Sequence, residues 1–534
     1  MKWKVLPKKS DDLVEQLLAN RGIKTTQEKE QFFHPKISDY EKDIDIAGIK
    51  KAQERIKKAI KNNELIIVYG DYDVDGICGC ACLYKALTSI GAKVLPYIPH
   101  REKEGYGLSK IGLESAKNSG ARLIITVDNG IVANPQADYA KILGLDLIIT
   151  DHHIPAKIKP DAYEIIHSTK MCGAAVGWCL IRGLIKKDLA TELLQFVCLA
   201  TICDVMLLLE VNRAYVSEGL KILNRTTNLG LLSLINESGL RLGNIGSYEI
   251  GHVLGPRLNA MGRLENAMDS LRLLCTKDPQ RARNLARLLC KTNTSRQKMT
   301  EEAVEEAHVL VNKGISVQVL HSKKWSMGIV GLIAGRIAES YSRPTIAISV
   351  GETVAKGSAR SVNGVNIVEF IRNFSDILID VGGHPQAAGF SLESKNVTIF
   401  KRRVEEYILE LPEEGEKVLE IDAEVETKQI SKGLIEQISK FEPFGVKNPR
   451  PIFATYKMQI SDIRTVGLGK HLKFKANNID AIAFGMGEME SLLANGQQIH
   501  PERSRRVDLA YTPEIDSYND FEKLQLKVKD IRIS

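Results

Sequence analysis

Three apolar, β-branched runs in the first third of the chain each break off in acidic residues. Leu65-Ile-Ile-Val-Tyr69 runs into Gly70-Asp71-Tyr72-Asp73-Val74-Asp75-Gly76, Ile124-Ile-Thr-Val127 into Asp128-Asn129-Gly130, and Ile148-Ile-Thr150 into Asp151-His152-His153. Amphipathic helical stretches separate them, one from about Gly79 to Ser89, and a further strand reads at Val94 to Ile98. This alternation specifies a parallel sheet flanked by helices, an α/β fold. In such a sheet ligands sit beyond the carboxyl ends of the strands, so the acids are expected to converge on one rim. Crowded carboxylates repel one another and lose solvation, and divalent cations between them remove that cost.

A lone acid supports the same conclusion. Asp204 interrupts the apolar run Phe196 to Leu209, where an unpartnered carboxylate costs several kcal/mol, and a metal, an arginine or a helix terminus could each hold it. An EF-hand beginning at Asp71 is excluded, because its twelfth position is Cys82 rather than a bidentate Glu and a strand, not a helix, precedes it. Oxygen donors with imidazole favour Mn²⁺ or Mg²⁺ over structural zinc. Two such ions about 4 Å apart support in-line attack on phosphorus, so phosphoester hydrolysis is the expected chemistry.

The 534 residues suggest about three to four domains at the usual ~150 residues each, which excludes one small binding module. With 44% apolar and 26% charged residues the chain is an ordinary globular one, neither disordered nor collagen-like. Its nine cysteines are odd in number and lack a Cys-x-x-Cys pair, which points to reduced thiols and a cytoplasmic protein; Cys78, Cys80 and Cys82 read as small buried helix residues. No apolar h-region follows Met1, and the longest apolar stretch, Leu193 to Leu209, is interrupted by Gln195 and Asp204, so neither a secretory signal nor a membrane anchor is expected.

Residues 1–45 read as a polar helical segment, 46–213 as the acid-bearing α/β domain and 214–312 as a helical connector. Residues 313–411 read as a smaller α/β domain, with glycine-rich turns near Lys356–Arg360 and Gly382–His384, and 416–534 as a five-stranded oligonucleotide-binding (OB) type barrel. The net charge of +7 is locally placed. One expected helix, Arg272 to Lys298, carries eight Lys/Arg and only Asp278 as an acid, with Arg283, Arg287 and Lys291 in one stripe; the barrel's run Arg464 to Lys475 has four Lys/Arg and no acid. The barrel run is expected to track a phosphate backbone through residues such as Lys470 and Lys473, with Phe474 as a stacking surface; a solvated charged face is the bland alternative.

The four acidic elements, Asp71–Gly76, Asp128–Gly130, Asp151–His153 and Asp204, resemble the motifs of the DHH phosphoesterase superfamily, and Gly382-Gly-His384 resembles the hallmark of its companion DHHA1 domain. Trp325-Ser-Met-Gly328, Lys356-Gly-Ser-Ala-Arg-Ser361, Gly255-Pro-Arg-Leu-Asn-Ala-Met-Gly-Arg263 and Pro443-Phe-Gly445 complete a pattern similar to the superfamily's bacterial single-stranded-DNA exonucleases, over about residues 50 to 534. The resemblance implies a 5′→3′ exonuclease on single-stranded DNA, using two Mn²⁺ or Mg²⁺ ions, in recombination and repair. Asp73, Asp75, Asp128, His152 and Asp204 would hold the ions, Asp71 and Asp151 would support them, and His153 would contact the scissile phosphate. Ser358, Arg360 and His384 would bind phosphate from the DHHA1 domain, and Arg101, Arg257 and Arg263 would line the entry path. It further implies a cytoplasmic monomer, with a single-strand-binding protein and a helicase as partners and no membrane.

Three positions depart from the pattern: Tyr69 where relatives often carry His, Ser326 in place of a His, and Leu207 in place of a Pro. The first puts a histidine ligand in doubt and the second bears on DNA contacts. A DHH phosphodiesterase for cyclic dinucleotides or short oligonucleotides is the alternative, which predicts a shorter, two-domain chain. A metal-free DNA-binding relative is the third reading, which predicts substituted ligands.

Overall fold

The computed structural model describes residues 1–407, 418–493, 506–516 and 523–533. They fall into two compact units: a larger one of residues 37–206 and 214–414, and a smaller one of residues 1–36, 207–213 and 415–534. The expected boundary between 411 and 416 lies outside the described residues.

The larger unit holds the acid-bearing sheet. Its five parallel strands lie in the order Lys93–Tyr97, Leu65–Tyr69, Ala121–Val127, Asp146–Asp151, Glu164–His167. The three central strands are almost wholly buried, as continuous apolar runs covered on both faces should be. The chain moves outward from Leu65–Tyr69 to one side and then returns to add Ala121–Val127 on the other, so the order reverses between these two strands, where open α/β sheets bind ligands. The helix Val74–Ser89 buries nearly every residue, including Cys78, Cys80 and Cys82, and all nine cysteines are free thiols.

The basic stretch expected as one helix is two. Met268–Cys275 ends at an extended Thr276, and Pro279–Leu310 begins afresh because the Asp278 carboxylate caps the Gln280 and Arg281 amides and Pro279 suits the first helical position. Arg283, Arg287 and Lys291 do form an exposed stripe on the second helix. Its C-terminal end packs on the second sheet, ordered Leu378–His384, Ala387–Glu393, Val354–Arg360, Thr345–Val350, Gln318–Ser322. The two expected glycine-rich turns are strand segments of this sheet. Ala355, Gly357 and Ala359 alternate toward the core, and the absence of a side chain at Gly357 leaves room for the Phe390 ring.

The smaller unit is a closed barrel. Phe453–Val466, His471–Ala476, Ile479–Ala483, Lys523–Ile533 and Arg506–Asp516 pair in that order, and the first and last of these pair with each other. The first residues do not form a separate helical segment. Lys2–Val5 is a strand paired in parallel with Val418–Ile421, and Leu17, Leu18 and Phe32 enter the barrel's core. Phe474 is also core, 2% exposed, because Leu472, Phe474 and Ala476 alternate inward; an exposed aromatic is Phe484, edge-on to His471 with centroids 5.1 Å apart. Among the described residues no helix is long and apolar enough to cross a membrane.

Arg213 ties this unit's pieces together. Buried beneath the Phe32 ring, 3.9 Å from its centroid, its guanidinium donates to the carbonyl oxygens of Phe32, Phe441, Glu442 and Pro443 at 2.8–3.2 Å. Truncating it removes the donor to the Phe32 and Glu442 carbonyls and the cation over the Phe32 ring, while Asn448 Nδ2 still serves the Phe441 and Pro443 carbonyls. Arg213→Ala is therefore expected to lower the unfolding free energy by about 3–5 kcal/mol in urea titration, and a loss below about 1 kcal/mol would contradict this account.

Candidate metal centre

The rim carboxylates are placed by strand ends and held by backbone. Asp73 caps the helix Val74–Ser89 through its carboxylate, which accepts from the Asp75 and Gly76 amides. Asp75, on that helix's first turn, accepts from the amides of Gly173 and Ala174 at 2.6 and 2.7 Å, at the N-terminus of the helix Gly173–Ile181. A side chain at Gly173 would collide with Asp128, so only glycine lets this helix end approach so closely. Asp128 follows its strand with a left-handed φ of 63°, and Asp204 closes the C-terminus of the helix Leu194–Cys203.

These residues meet. Asp71, Asp73 and Asp128 form one group, Asp75, His152 and Asp204 a second, and Asp128, His152 and His153 a third, with the donor atoms within 4.8 Å of one another in each. His152 Nε2 stands 3.2 Å from Asp128, 3.6 Å from Asp204 and 3.7 Å from Asp75. Among the described residues, the buried Asp71 Oδ1, Asp128 Oδ1 and His152 Nε2 have no hydrogen-bond partner. Orphaned oxygen and imidazole donors converging in threes are the set a Mn²⁺ or Mg²⁺ ion requires, so the residues fit the expected metals.

The electrostatics describe the same need. Burial, reinforced by the neighbouring acids, pushes the Asp71 and Asp128 carboxyls well above their ordinary range, Asp204 up to about 9 and Asp75 up to about 6. Burial, with His153 adding, pulls His152 down to about 4. Asp151 behaves oppositely. Burial would raise it, but the His153 ring at 2.8 Å and the Ile131 and His153 amides outweigh that and hold it low, while Asp151 overcomes burial to raise His153. Asp151 is thus a support for His153.

The remaining sequence-predicted residues divide. His384, from the strand Leu378–His384, stacks on His153 with centroids 6.0 Å apart. Arg101 lies over Tyr72, 4.7 Å from the ring centroid. Arg263 donates to the Gly328 carbonyl and is pulled down to about 10 by burial and by Arg101, Arg296 and Arg360, so these cations form one cluster. Arg360 donates to Ser358 Oγ at 3.0 Å. Arg257 does not join them by any contact; it bonds its own helix at the Val253 carbonyl. Lys470 and Lys473 belong to the barrel unit. Tyr69 offers no donor here, since its hydroxyl reaches Gly107 and Ser109 within the core, and Ser326 accepts from the Gly328 amide.

Two contributors were missed. Tyr106 donates to the Asp128 carbonyl at 2.9 Å and lies 3.2–3.3 Å from the His153 ring nitrogens; its setting between Gly105 and Gly107 was the available signal. Asn259 accepts from the Val74 amide at 3.0 Å, inside a motif whose arginines drew attention instead.

Raised carboxyls bind protons in the folded state that the unfolded chain has released, so they cost stability as pH rises from about 4 through the folded values. His152, depressed, acts oppositely but only below its ordinary value of about 6.5. In chelator, the melting temperature is therefore expected to fall between pH 7 and 9, and Mn²⁺ to restore it more at pH 9 than at pH 6; a metal effect independent of pH would contradict the carboxylate assignment.

Family models match three regions: the DHH family N-terminal domain over residues 65–201, the DHHA1 domain over 312–410 and the RecJ OB domain over 421–530. The single-stranded-DNA-specific exonuclease RecJ of Bacillus subtilis is 35% identical over 98% of this chain and 68% of its own, and that of Dickeya dadantii 30% identical over 98% and 97%. The crystal structure of RecJ from Thermus thermophilus in complex with Mn²⁺ superposes with a TM-score of 0.84, at 26% identity, covering all of this chain and 80% of that one. With the rim acids, the DHHA1 sheet and the closed barrel all in place, the chain belongs to the RecJ family of DHH phosphoesterases.

Proposed function

We propose that this protein is a single-stranded-DNA-specific exonuclease that removes nucleotides 5′→3′ by two-metal phosphodiester hydrolysis, in recombination and repair. The observation that carries the reading is the juxtaposition, within the larger unit, of an acid–imidazole cluster with orphaned donors and a separate arginine cluster. The first suits two ions and the second a phosphate. Bound there, Mn²⁺ or Mg²⁺ supplies Lewis-acid activation of water and of the phosphodiester.

Asp73, Asp75, Asp128, His152 and Asp204 would hold the ions, with Asp71 beside them. His153, held by Asp151, would contact the scissile phosphate. Arg101, Arg263 and Arg360, with Ser358 and His384, would take a phosphate of the entering strand, and Arg257 would shape the path from its helix. A bidentate guanidinium fork suits that ligand. On the barrel, Lys470 and Lys473 would follow the backbone, with the exposed Phe484 as the stacking surface. The same proposal includes a cytoplasmic location, which the free thiols support, and a monomer working with a single-strand-binding protein and a helicase.

End-labelled single strands and duplexes with Mn²⁺ test the reading. Mononucleotide release from the 5′ end of single strands is expected; release from the 3′ end, or equal attack on blunt duplex, would overturn it. Asp75→Ala is expected to abolish hydrolysis while strand binding persists, because the arginines lie elsewhere. Strand affinity is expected to fall about 50-fold between 50 and 200 mM salt for four contacted phosphates, and the joint Lys470→Ala, Lys473→Ala variant to reduce the logarithmic slope by about 1.4. A slope unchanged by that variant would remove the barrel from the binding path.

A further inference from the structure

The loop between the strand Lys93–Tyr97 and the helix Lys110–Asn118 carries both Arg101 and Tyr106, so its placement decides whether either reaches the metal cluster. Gly105 (φ 82°) and Gly107 (φ 73°) give it a left-handed path that other residues adopt only with strain.

One carboxylate fastens it. Glu104 Oε1 accepts from the His100 amide at 2.8 Å, and Oε2 accepts from the hydroxyls of Tyr97 at 2.8 Å and Ser109 at 2.6 Å. Ser109 Oγ in turn caps the following helix at the Gly112 amide, 2.8 Å away. The Tyr69 hydroxyl, buried in the sheet's core, donates to the Gly107 carbonyl and accepts from the Ser109 amide, both at 3.2 Å. The loop is therefore pinned at its start, middle and end to the strand Lys93–Tyr97 and the helix start. Beyond this anchorage, Arg101 rests on Tyr72, between Asp71 and Asp73, and Tyr106 bonds the Asp128 carbonyl.

We infer that Glu104 is a positioning residue for the nuclease reaction: by gathering His100, Tyr97 and Ser109 it holds Arg101 and Tyr106 over the metal cluster before a strand arrives. Among the described residues its carboxylate is in none of the groups that could hold a metal, and its bonds are to neutral donors. Hydrogen bonds to a carboxylate are roughly twice as strong as neutral ones, which is why one side chain can set the loop of residues 98–109. Preorganised placement saves ordering cost on binding, so its loss should appear in substrate capture more than in metal binding.

The inference rests on the exonuclease reading, and two measurements keep their failures apart. In steady-state hydrolysis of a 5′-phosphorylated single strand, Glu104→Ala is expected to raise KM about tenfold with a smaller change in kcat, while the Mn²⁺-induced shift in melting temperature stays as in the parent. Glu104→Gln, whose single amide oxygen can keep either the His100 amide or the two hydroxyls, is expected to recover part of the loss. In amide hydrogen exchange, which needs no activity, Glu104→Ala is expected to speed exchange of residues 100–108 several-fold and to leave the central strands unchanged. A protein inactive on DNA would overturn the exonuclease reading while the exchange result still judged Glu104. Unchanged KM, unchanged loop exchange, or loss of the Mn²⁺ shift together with kcat would each overturn the positioning role. Should Glu104→Ala not fold, Tyr97→Phe removes one donor at almost no change in volume and is expected to raise KM about threefold; an unaltered KM overturns the inference.

Discussion

Everything at the rim follows from carboxylates brought together in a place where they cannot all be solvated. The sheet order puts the ends of Leu65–Tyr69 and Ala121–Val127 side by side at the reversal point, and each delivers acids there. The fold discharges part of the strain itself: Asp75 takes two amides from a helix N-terminus, Asp73 caps its own helix, and Asp151 is paired with His153. Asp71 and Asp128 keep a buried oxygen with no donor. That remainder is specific in position and sign, and a divalent cation is the species that relieves it.

The arginines carry the opposite imbalance. Arg263, half-buried and near Arg101, Arg296 and Arg360, has its pKa drawn down by burial and by like charge. Direct arginine–carboxylate pairs would neutralise both clusters and would leave neither metal nor phosphate anything to add. Instead Arg101 is turned onto the Tyr72 ring, Arg263 onto the Gly328 carbonyl and Arg360 onto Ser358. The larger unit thus maintains two separate unmet charges, which is costly for folding and useful for binding an anion beside cations.

Much of this was legible where local pattern and local structure coincide. Apolar runs ending in Asp announced the rim, and Asp204 was conspicuous as the one acid in a buried helical stretch. The helix break at Thr276–Pro279 was also written locally, as an Asp-Pro pair, but the density of basic residues around it obscured the signal. Phe474 shows the same lapse, since alternation with Leu472 and Ala476 marked it as core. The first 36 residues were not legible by any local rule. Leu17, Leu18 and Phe32 find their partners some four hundred residues away, and Arg213 bonds carbonyls from both Phe32 and the Phe441–Pro443 turn. Such long-range burial is decided by tertiary fit, which neither propensity nor periodicity encodes.

The adjacent histidines show how finely position can separate like groups. His152 points among Asp75, Asp128 and Asp204, yet burial and the neighbouring imidazole hold it neutral, with a lone pair free for a metal. His153, one residue on, turns to Asp151, which raises its pKa against burial. A strand end makes this possible, because successive side chains there leave in different directions and meet different surroundings. Two titratable groups driven apart by environment are the mark of an assigned division of chemical roles. Here His152 sits among three acids and His153 lies between Asp151 and the His384 ring, an order that would suit a metal and then a phosphate.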